Sequence, residues 1–222
     1  MHAIRYHDPR MPQTDFLGFS PVESIAPEVT LLRSFAAPTA PLIEEIESIA
    51  RIVPFRHLAT RGGGRMSVAM TNCGQWGWHS DEHGYRYVGA DPASGTAWPA
   101  MPRAFADLAV RAAERGGFPA FAPDACLINR YEPGAQMGAH RDFDEADMRH
   151  PIVSVSIGVP AVFAWWGARR GGTPLIVPVE DGDVIVWGGS ARAGYHGVRK
   201  LPAAQHPRTG ANRYNLTFRR AK

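Results

Sequence analysis

His140 and Asp142 are separated by one residue, and a further histidine, His196, follows later in the chain. In an extended segment, residues i and i+2 point to the same side, so His140 and Asp142 can bind one ion together. An imidazole from another strand would complete a set of two histidines and one carboxylate. Such a facial triad leaves coordination positions open and is typical of non-haem Fe(II) oxygenases.

A second chemical pattern occurs at the end of the chain, where polar and apolar side chains alternate. Arg213, Asn215, Thr217 and Arg219 share one face of a predicted strand, and the residues between them are apolar or aromatic. Turning two arginines toward a protein interior costs free energy unless an anion pairs with them. Because a guanidinium matches a carboxylate with two hydrogen bonds, the pattern predicts a carboxylate ligand, such as a dicarboxylate that binds iron at its other end.

Short strands must position these residues, because the second half of the chain consists of brief apolar runs between turns. The predicted strands are Cys126–Tyr131, Ile152–Ile157, Ala161–Trp166, Pro174–Val179, Asp183–Trp187, Tyr195–Arg199 and Arg213–Phe218, with an earlier one over Val29–Phe35. Two helices are predicted before them, one from Pro41 with Thr39 as N-cap and one over Arg103–Arg115. Helices followed by many strands indicate an α+β fold with the helices packed on one sheet.

Composition limits the class of protein. The chain has 222 residues, of which 45% are hydrophobic and 20% are charged, and this is enough for one domain with a full core. These values exclude a disulfide-stapled miniprotein, a coiled coil and a disordered chain. The net charge of +3 is mildly basic and compatible with a nucleic-acid partner. We expect residues 16–222 to form a single domain and residues 1–15 to form a flexible extension. We expect the protein to be a monomer.

The location of the protein is predicted from three features. Cys73 and Cys126 lack the spacing of a zinc ribbon or a disulfide framework. The N-terminus lacks the apolar core of a signal peptide. Residues 151–168 are uncharged, but Gly and Pro interrupt them and they alternate with period two, which favours two buried strands over a membrane helix. We therefore expect a cytoplasmic protein without a membrane partner.

Residues 60–99 form a distinctive region in which Gly-rich turns separate aromatic, histidine and arginine residues. Trp78, Tyr85 and Tyr87 lie there beside Arg65 and Arg86. The composition leaves two interpretations open, a surface hairpin with packed aromatics or a lid that faces a ligand.

Several motifs in fixed order carry a resemblance to a known family. They are MSVAMTNCG, WPAMP, PDACLINRYEPGA, HRDFDE, PIVSVSIG, GDVIVWGG, YHG and RYNLTFR. From about residue 28 to residue 220, the chain resembles the AlkB family of Fe(II)- and 2-oxoglutarate-dependent dioxygenases, in particular its bacterial members. The resemblance implies a double-stranded β-helix, or jelly roll, with supporting N-terminal helices and a nucleotide-recognition lid at about residues 60–99.

The resemblance also implies roles for individual residues. Iron would be bound by His140, Asp142 and His196. The co-substrate 2-oxoglutarate would be held by Asn129, Tyr131, Arg213, Asn215 and Arg219, with Tyr131 and Arg213 at its distal carboxylate and Asn129 and Arg219 nearer the metal. The damaged nucleotide or its strand would be contacted by Trp78, Tyr85, Arg86, Tyr87, Asp144 and Arg170. Arg141 and Phe143 depart from the side chains of bacterial members, as does the RGGGR segment, and these departures leave the substrate range open.

The activity implied is repair of alkylated DNA by oxidative demethylation of 1-methyladenine and 3-methylcytosine in single-stranded or flipped-out DNA. The reaction would consume O2, convert 2-oxoglutarate to succinate and CO2, and release formaldehyde. Two alternatives are the same chemistry on RNA or methylated protein side chains, and a non-catalytic jelly-roll binding module. A binding module would not need the arginine-bearing strand, and the lid aromatics and arginines favour nucleic acid over protein.

Overall fold

The computed structural model describes residues 21–222, so the predicted extension at residues 1–15 lies outside the described residues. In chain order the elements are β1 (Val22–Ala26), β2 (Val29–Leu32), α1 (Ala40–Ile52), β3 (Ala69–Gly74), β4 (Gly77–Asp81), β5 (Gly84–Val88), α2 (Arg103–Arg115), β6 (Ala125–Tyr131), β7 (Met137–His140), β8 (Ile152–Gly158), β9 (Ala161–Gly167), β10 (Leu175–Val179), β11 (Val184–Trp187), β12 (Tyr195–Val198) and β13 (Arg213–Arg219). The strands predicted from Cys126 onward are present within one or two residues of their expected bounds. Strands β1, β3 and β7 were not predicted, and β4 and β5 form a hairpin, one of the two interpretations left open for residues 60–99.

Two antiparallel sheets face each other. The larger has seven strands in the order β1-β2-β11-β8-β13-β6-β3, and the smaller has four in the order β10-β9-β12-β7. Apolar side chains of both sheets, including Phe163, Trp165 and Trp187, fill the space between them. The predicted α+β jelly roll is therefore confirmed.

The two helices pack on the outer face of the larger sheet. Helix α1 buries Leu42, Ile43, Ile46 and Ile49, and α2 buries Phe105, Leu108 and small alanines. Thr39 is the N-cap of α1 as predicted, but its hydroxyl donates to Asp181 Oδ2 at 2.8 Å instead of capping the helix. The helix start is thus fixed through a contact with the β10–β11 turn.

Strand β13 separates the two cores. Leu216 and Phe218 pack toward the helices, whereas Arg213, Asn215 and Arg219 face the space between the sheets and are buried there. The period-two prediction for this strand is confirmed. Its neighbours β6 and β8 pair with it along nearly its whole length, so the polar face is held in a fixed register.

The region predicted as hairpin or lid contains two different structures. Strand β3 pairs with β6 in the larger sheet and is buried, whereas β4 and β5 form a separate two-stranded hairpin. The side-chain amide of Asn72 in β3 donates to Trp78 O at 3.1 Å and accepts from Trp78 N at 3.0 Å. This pair fixes the start of the hairpin against the larger sheet.

Residues 151–168 form β8 and β9, as the alternation predicted. Over residues 21–222, no helix is long and apolar enough to cross a membrane.

Candidate active site

His140, Asp142 and His196 come together between the sheets. Nε2 of His140 lies 3.8 Å from Asp142 Oδ1, and Nε2 of His196 lies 3.8 Å from Asp142 Oδ2. One ligand atom from each residue lies within 4.8 Å of the others, a spacing at which a single ion can be bound. The predicted facial triad is therefore assembled by the fold.

Strand pairing brings the two histidines together. His196 in β12 is opposite His140 in β7, and their ring centroids are 4.4 Å apart. A Cβ atom at Gly197 would lie 2.6 Å from Met137 O, so glycine is needed for the close approach of the two strands. The YHG motif thus combines a ligand with the residue that allows its strand to reach the other ligand.

Both imidazoles are oriented by backbone carbonyls. Nδ1 of His140 donates to Gly138 O at 2.9 Å, and Nδ1 of His196 donates to Gly194 O at 3.0 Å. A proton on Nδ1 leaves the Nε2 lone pair free for a metal. Burial and the neighbouring His140 lower the pKa of His196 to about 3, so this imidazole is neutral near pH 7.

Asp142 is held as a carboxylate. Burial alone would raise its pKa, but the charge of Arg219, the two imidazoles and hydrogen bonds from Arg219 outweigh burial and lower that pKa well below its usual range. The ligand is therefore ionised before any metal binds.

Behind the triad lies a buried charge network that the sequence did not reveal. Glu145 forms ion pairs with Arg219 at 3.2 Å and with Arg192 at 2.9 Å, and it accepts a hydrogen bond from the Tyr87 hydroxyl at 2.8 Å. Arg192 also donates to the carbonyl of Asp142 at 3.1 Å. The only signal in the sequence was the position of Glu145 close to an iron-ligand motif. Its burial could not be predicted, because isolated charged residues are normally solvent-exposed.

A cavity of about 460 Å³ extends from the triad along the polar face of β13. Arg213 lies in it and is only 2% exposed, yet it forms no ion pair with any described residue. Its Nη2 donates to Ser156 Oγ at 3.0 Å, whereas Nε and Nη1 are buried without a hydrogen-bond partner within residues 21–222. A buried guanidinium with two free donors is suited to a carboxylate that is not part of the protein.

The other residues predicted for the co-substrate also line this cavity. Asn129 Oδ1 and Arg219 Nη1 are buried and lack partners in the described part of the chain, and the ring of Tyr131 lies 4.9 Å from the Arg213 guanidinium carbon. Asn215 differs, because its amide nitrogen donates to Ser154 Oγ and Val155 O. Its oxygen accepts from Thr217 Oγ1 at 2.8 Å, so its polar atoms are already engaged by the protein.

Four of the predicted nucleotide-contacting residues line the cavity: Trp78, Tyr85, Asp144 and Arg170. Trp78 stacks on Tyr85 with ring centroids 5.5 Å apart, and its indole Nε1 donates to Asp144 Oδ2 at 2.8 Å. Burial raises the pKa of Asp144. Arg170 is exposed at the rim.

Arg86 and Tyr87 lie outside the cavity lining. Arg86 forms a two-pronged ion pair with Asp81 across the hairpin, with nitrogen–oxygen distances of 2.8 Å and 2.6 Å. Tyr87 points from the hairpin toward Glu145 and is buried. Tyr85 and Tyr87 share a face of β5, so alternation does not separate them. The packing of the hairpin does, because Tyr85 is exposed and lines the cavity whereas Tyr87 is buried against Glu145. Nucleotide contacts of Arg86 and Tyr87 stay predictions.

Comparison with known proteins agrees with this geometry. A family model described as the 2OG-Fe(II) oxygenase superfamily matches residues 28–219. The chain belongs to this superfamily. This oxygenase is 52% identical over 200 residues to the alpha-ketoglutarate-dependent dioxygenase AlkB of Salmonella typhimurium, covering 90% of the chain and 93% of the relative. The AlkB protein of Escherichia coli is 50% identical over 200 residues, which again cover 90% of the chain and 93% of the relative. The resemblance to the AlkB family is therefore confirmed.

More distant similarities extend this result. The solved structure of OsALKBH1 superimposes with a TM-score of 0.77 at 25% identity, covering 90% of this chain and all of that one. A DNA N(6)-methyladenine demethylase of Arabidopsis thaliana is 31% identical over 60% of the chain, which covers 35% of that protein. A tRNA demethylase of Schizosaccharomyces pombe is 27% identical over 57% of the chain, which covers 39% of that protein.

The chain is thus a dioxygenase that uses Fe(II), 2-oxoglutarate and O2, as predicted. Its residues fit these groups. Two imidazoles and one carboxylate form a donor set that suits Fe(II). The unpaired buried donors of Arg213 suit one carboxylate of a dicarboxylic acid.

Proposed function

We propose that this enzyme repairs nucleic acid by oxidative demethylation of N-alkylated bases, with 1-methyladenine and 3-methylcytosine in DNA as its main substrates. The observation that carries the proposal is the arrangement of one cavity. The metal triad, the Trp78–Tyr85 stack and the Asp144 carboxylate all line this cavity. A flat, positively charged group bound in the cavity would meet an aromatic face and a carboxylate in the same space as the metal ligands.

In this proposal, His140, Asp142 and His196 bind Fe(II), and Arg213 with Tyr131 binds the distal carboxylate of 2-oxoglutarate. Asn129 and Arg219 contact the end nearer the metal, and Asn215 positions the residues around them through its hydrogen bonds with Ser154 and Thr217. When bound, iron and 2-oxoglutarate supply the oxidation that converts an N-methyl group to formaldehyde, while 2-oxoglutarate is converted to succinate and CO2.

In this proposal, the enzyme selects a lesion by the positive charge of the methylated base. Methylation at N1 of adenine or N3 of cytosine leaves the base cationic near neutral pH. A cation gains about 0.5–2 kcal/mol from an aromatic face when it is desolvated, and Trp78 offers such a face. Asp144 adds an opposite charge, and its hydrogen bond from Trp78 keeps the carboxylate beside that ring.

The strand must present the base outside a duplex. A paired base is stacked between its neighbours and cannot enter a cavity of about 460 Å³, so the base must be flipped out or belong to a single strand. Arg170 at the rim would contact the phosphate backbone. Single-stranded DNA is therefore the preferred partner in this proposal. A monomeric state and a cytoplasmic location remain predictions.

RNA is the second candidate substrate. The relative from Schizosaccharomyces pombe is named as a tRNA demethylase, and the aromatic and acidic groups at the cavity recognise a base rather than a sugar. The same lesions in RNA should therefore be compared directly with those in DNA.

The test is a panel of matched oligonucleotides that carry 1-methyladenine, 3-methylcytosine or N6-methyladenine in single-stranded DNA, duplex DNA and RNA. Mass spectrometry measures loss of the methyl group, and succinate is measured in the same reaction. We expect about one succinate for each methyl group removed from cationic lesions in single-stranded DNA. Succinate formation without demethylation of any oligonucleotide would refute the nucleic-acid assignment but not the dioxygenase assignment.

A further inference from the structure

Arg141, Phe143 and Tyr195 form a stack at the mouth of the cavity that has no role in the proposed iron or 2-oxoglutarate contacts. The guanidinium carbon of Arg141 lies 4.4 Å from the ring centroid of Phe143 and 5.3 Å from that of Tyr195. Arg141 itself lines the cavity. We name these three residues the mouth stack.

The mouth stack is tied to the metal triad by the chain itself. Arg141 lies between His140 and Asp142, Phe143 follows Asp142, and Tyr195 precedes His196. Its distance from the reacting methyl group is therefore fixed by the same backbone segments that hold the iron ligands. Because Arg141 lines the cavity, a molecule that touches the mouth stack lies at the cavity wall.

The stack offers binding groups that the protein does not use. Phe143 is 53% exposed, although single exposed apolar residues are common and mean little by themselves. Arg141 forms no ion pair and no hydrogen bond with any residue between 21 and 222, and its guanidinium lies over the rings of Phe143 and Tyr195. A guanidinium without an ion pair beside an exposed ring matches a phosphate next to a nucleobase, since guanidinium binds phosphate with two hydrogen bonds and every base has a face that can stack.

We propose that the mouth stack binds the nucleotide adjacent to the lesion, with Phe143 stacked on its base and Arg141 paired with the phosphate that links the two nucleotides. This inference rests on the proposed function, because it assumes a nucleic-acid substrate. It adds a second, sequence-tolerant base contact outside the cavity. It also makes the enzyme favour a strand over a single modified nucleotide.

The experiment compares two substrates with the iron-loaded enzyme. One is 1-methyl-dAMP, and the other is a single-stranded DNA pentamer with 1-methyladenine at its centre. The variants are Phe143→Ala, Phe143→Trp, and Leu175→Ala as a matched control, since Leu175 is an exposed apolar residue of β10 outside the cavity lining. The ratio of kcat/KM for the pentamer to kcat/KM for the mononucleotide isolates contacts outside the cavity.

We expect Phe143→Ala to lower this ratio about tenfold, equivalent to about 1.4 kcal/mol. Phe143→Trp should keep the ratio near that of the unaltered enzyme, and so should Leu175→Ala. Pentamers with an abasic nucleotide on one side of the lesion complete a double-mutant cycle, in which loss of the neighbouring base is combined with loss of the Phe143 ring. The unaltered enzyme should lose about the same factor when the stacked base is absent, whereas Phe143→Ala should lose nothing further.

Arg141 is tested separately through salt dependence. Arg141→Ala should lessen the slope of log affinity for the pentamer against log salt by about 0.7, which is the loss of one phosphate contact on a single strand. An unchanged ratio for Phe143→Ala, with both substrates still demethylated by the unaltered enzyme, would overturn the inference and leave the proposed function standing. Failure of the unaltered enzyme to demethylate any nucleic-acid substrate would instead overturn the proposed function.

Discussion

Arg219 donates two hydrogen bonds to the same oxygen of Asp142, from Nη2 to Oδ2 at 2.6 Å and from Nε to Oδ2 at 3.2 Å. The carboxylate is thereby oriented before a metal is bound. Because Arg219 also pairs with Glu145, the orientation of the ligand depends on a buried chain of alternating charges. Such supporting contacts around a metal ligand typically change metal affinity by about 10–100-fold when they are removed.

Glu145→Gln tests the charge network. The substitution leaves Arg192 and Arg219 without their shared buried partner, and breaking a buried ion pair in this way costs about 3–5 kcal/mol. We expect a loss of this size in the free energy of unfolding in urea, together with about 10–100-fold weaker Fe(II) binding. Glu132→Gln, at an exposed ion pair with Arg130, is the control and should change stability by less than about 1 kcal/mol. Equal effects of the two substitutions would contradict this account.

Substitution of the triad should abolish turnover. His140→Ala, Asp142→Asn and His196→Ala each remove one of three ligands. Among residues 21–222, no further carboxylate or imidazole belongs to this cluster. Iron content and succinate formation should both fall to near background, and a chelator should reproduce this loss until Fe(II) is restored. His83→Ala, on the exposed tip of the hairpin, should behave as the unaltered enzyme. A triad variant with full activity and unchanged iron content would rule out this metal site.

Arg213→Met should separate co-substrate binding from folding. Loss of a charged partner weakens the hold on a buried carboxylate by about 2–5 kcal/mol, which corresponds to at least about a 30-fold weaker affinity for 2-oxoglutarate. The protein without co-substrate should not lose stability, because the substitution removes an unpaired buried charge. Calorimetric titration under anaerobic conditions measures the affinity. Arg220→Ala, on the opposite side of the strand end, should change the affinity for 2-oxoglutarate by less than about twofold. If Arg220→Ala weakened this affinity more than Arg213→Met, the co-substrate would bind to the other face of the strand.

Asp144→Asn should reduce repair of cationic lesions more than repair of neutral ones. Asparagine still accepts the hydrogen bond from Trp78, so the substitution mainly removes the charge. We expect kcat/KM for 3-methylcytosine to fall about tenfold more than kcat/KM for 3-methylthymine, as for loss of a hydrogen bond to a charged group. Trp78→Ala should weaken repair of both lesions. The assay uses matched single strands at fixed salt, and equal losses for the two lesions after Asp144→Asn would show that charge is not read there.

The pH dependence of stability should include a contribution from Asp91. Burial raises its pKa, but hydrogen bonds from Arg56, Ser94 and the backbone of Ala93 outweigh burial and lower that pKa overall. The unfolded chain therefore binds a proton at higher pH than the folded chain, and the stabilisation is present above about pH 4 and lost below it.

Asp91→Asn provides the measurement. The free energy of unfolding of the variant should lie about 1.5–3 kcal/mol below that of the unaltered protein at pH 7, with the gap closing as the pH falls below about 4. Asp107→Asn, at an exposed helix pair, should show no comparable gap. A gap for Asp91→Asn that stayed constant down to pH 3 would exclude this contribution.

The alternation of β13 could be predicted because side-chain direction in a strand is a local property of the backbone. The triad could be predicted because two of its ligands are neighbours in sequence and their spacing is chemically distinctive. The hydrogen bonds of Asn215 could not, because its side-chain amide donates to Ser154 in a strand that is distant in sequence. Tyr87 is similar: its alternation placed it with Tyr85, but only the packing of the hairpin directs its hydroxyl to Glu145.

By itself, the sequence determined which residue types can bind iron and a dicarboxylate, and the family to which the chain belongs. These follow from residue chemistry and short-range periodicity. The tertiary structure decided which groups meet: His196 opposite His140, and Glu145 between two arginines. It also left two donors of Arg213 without a partner among the described residues. The physical reason is that burial and pairing of charges depend on contacts between strands far apart in the chain, and no local pattern specifies them.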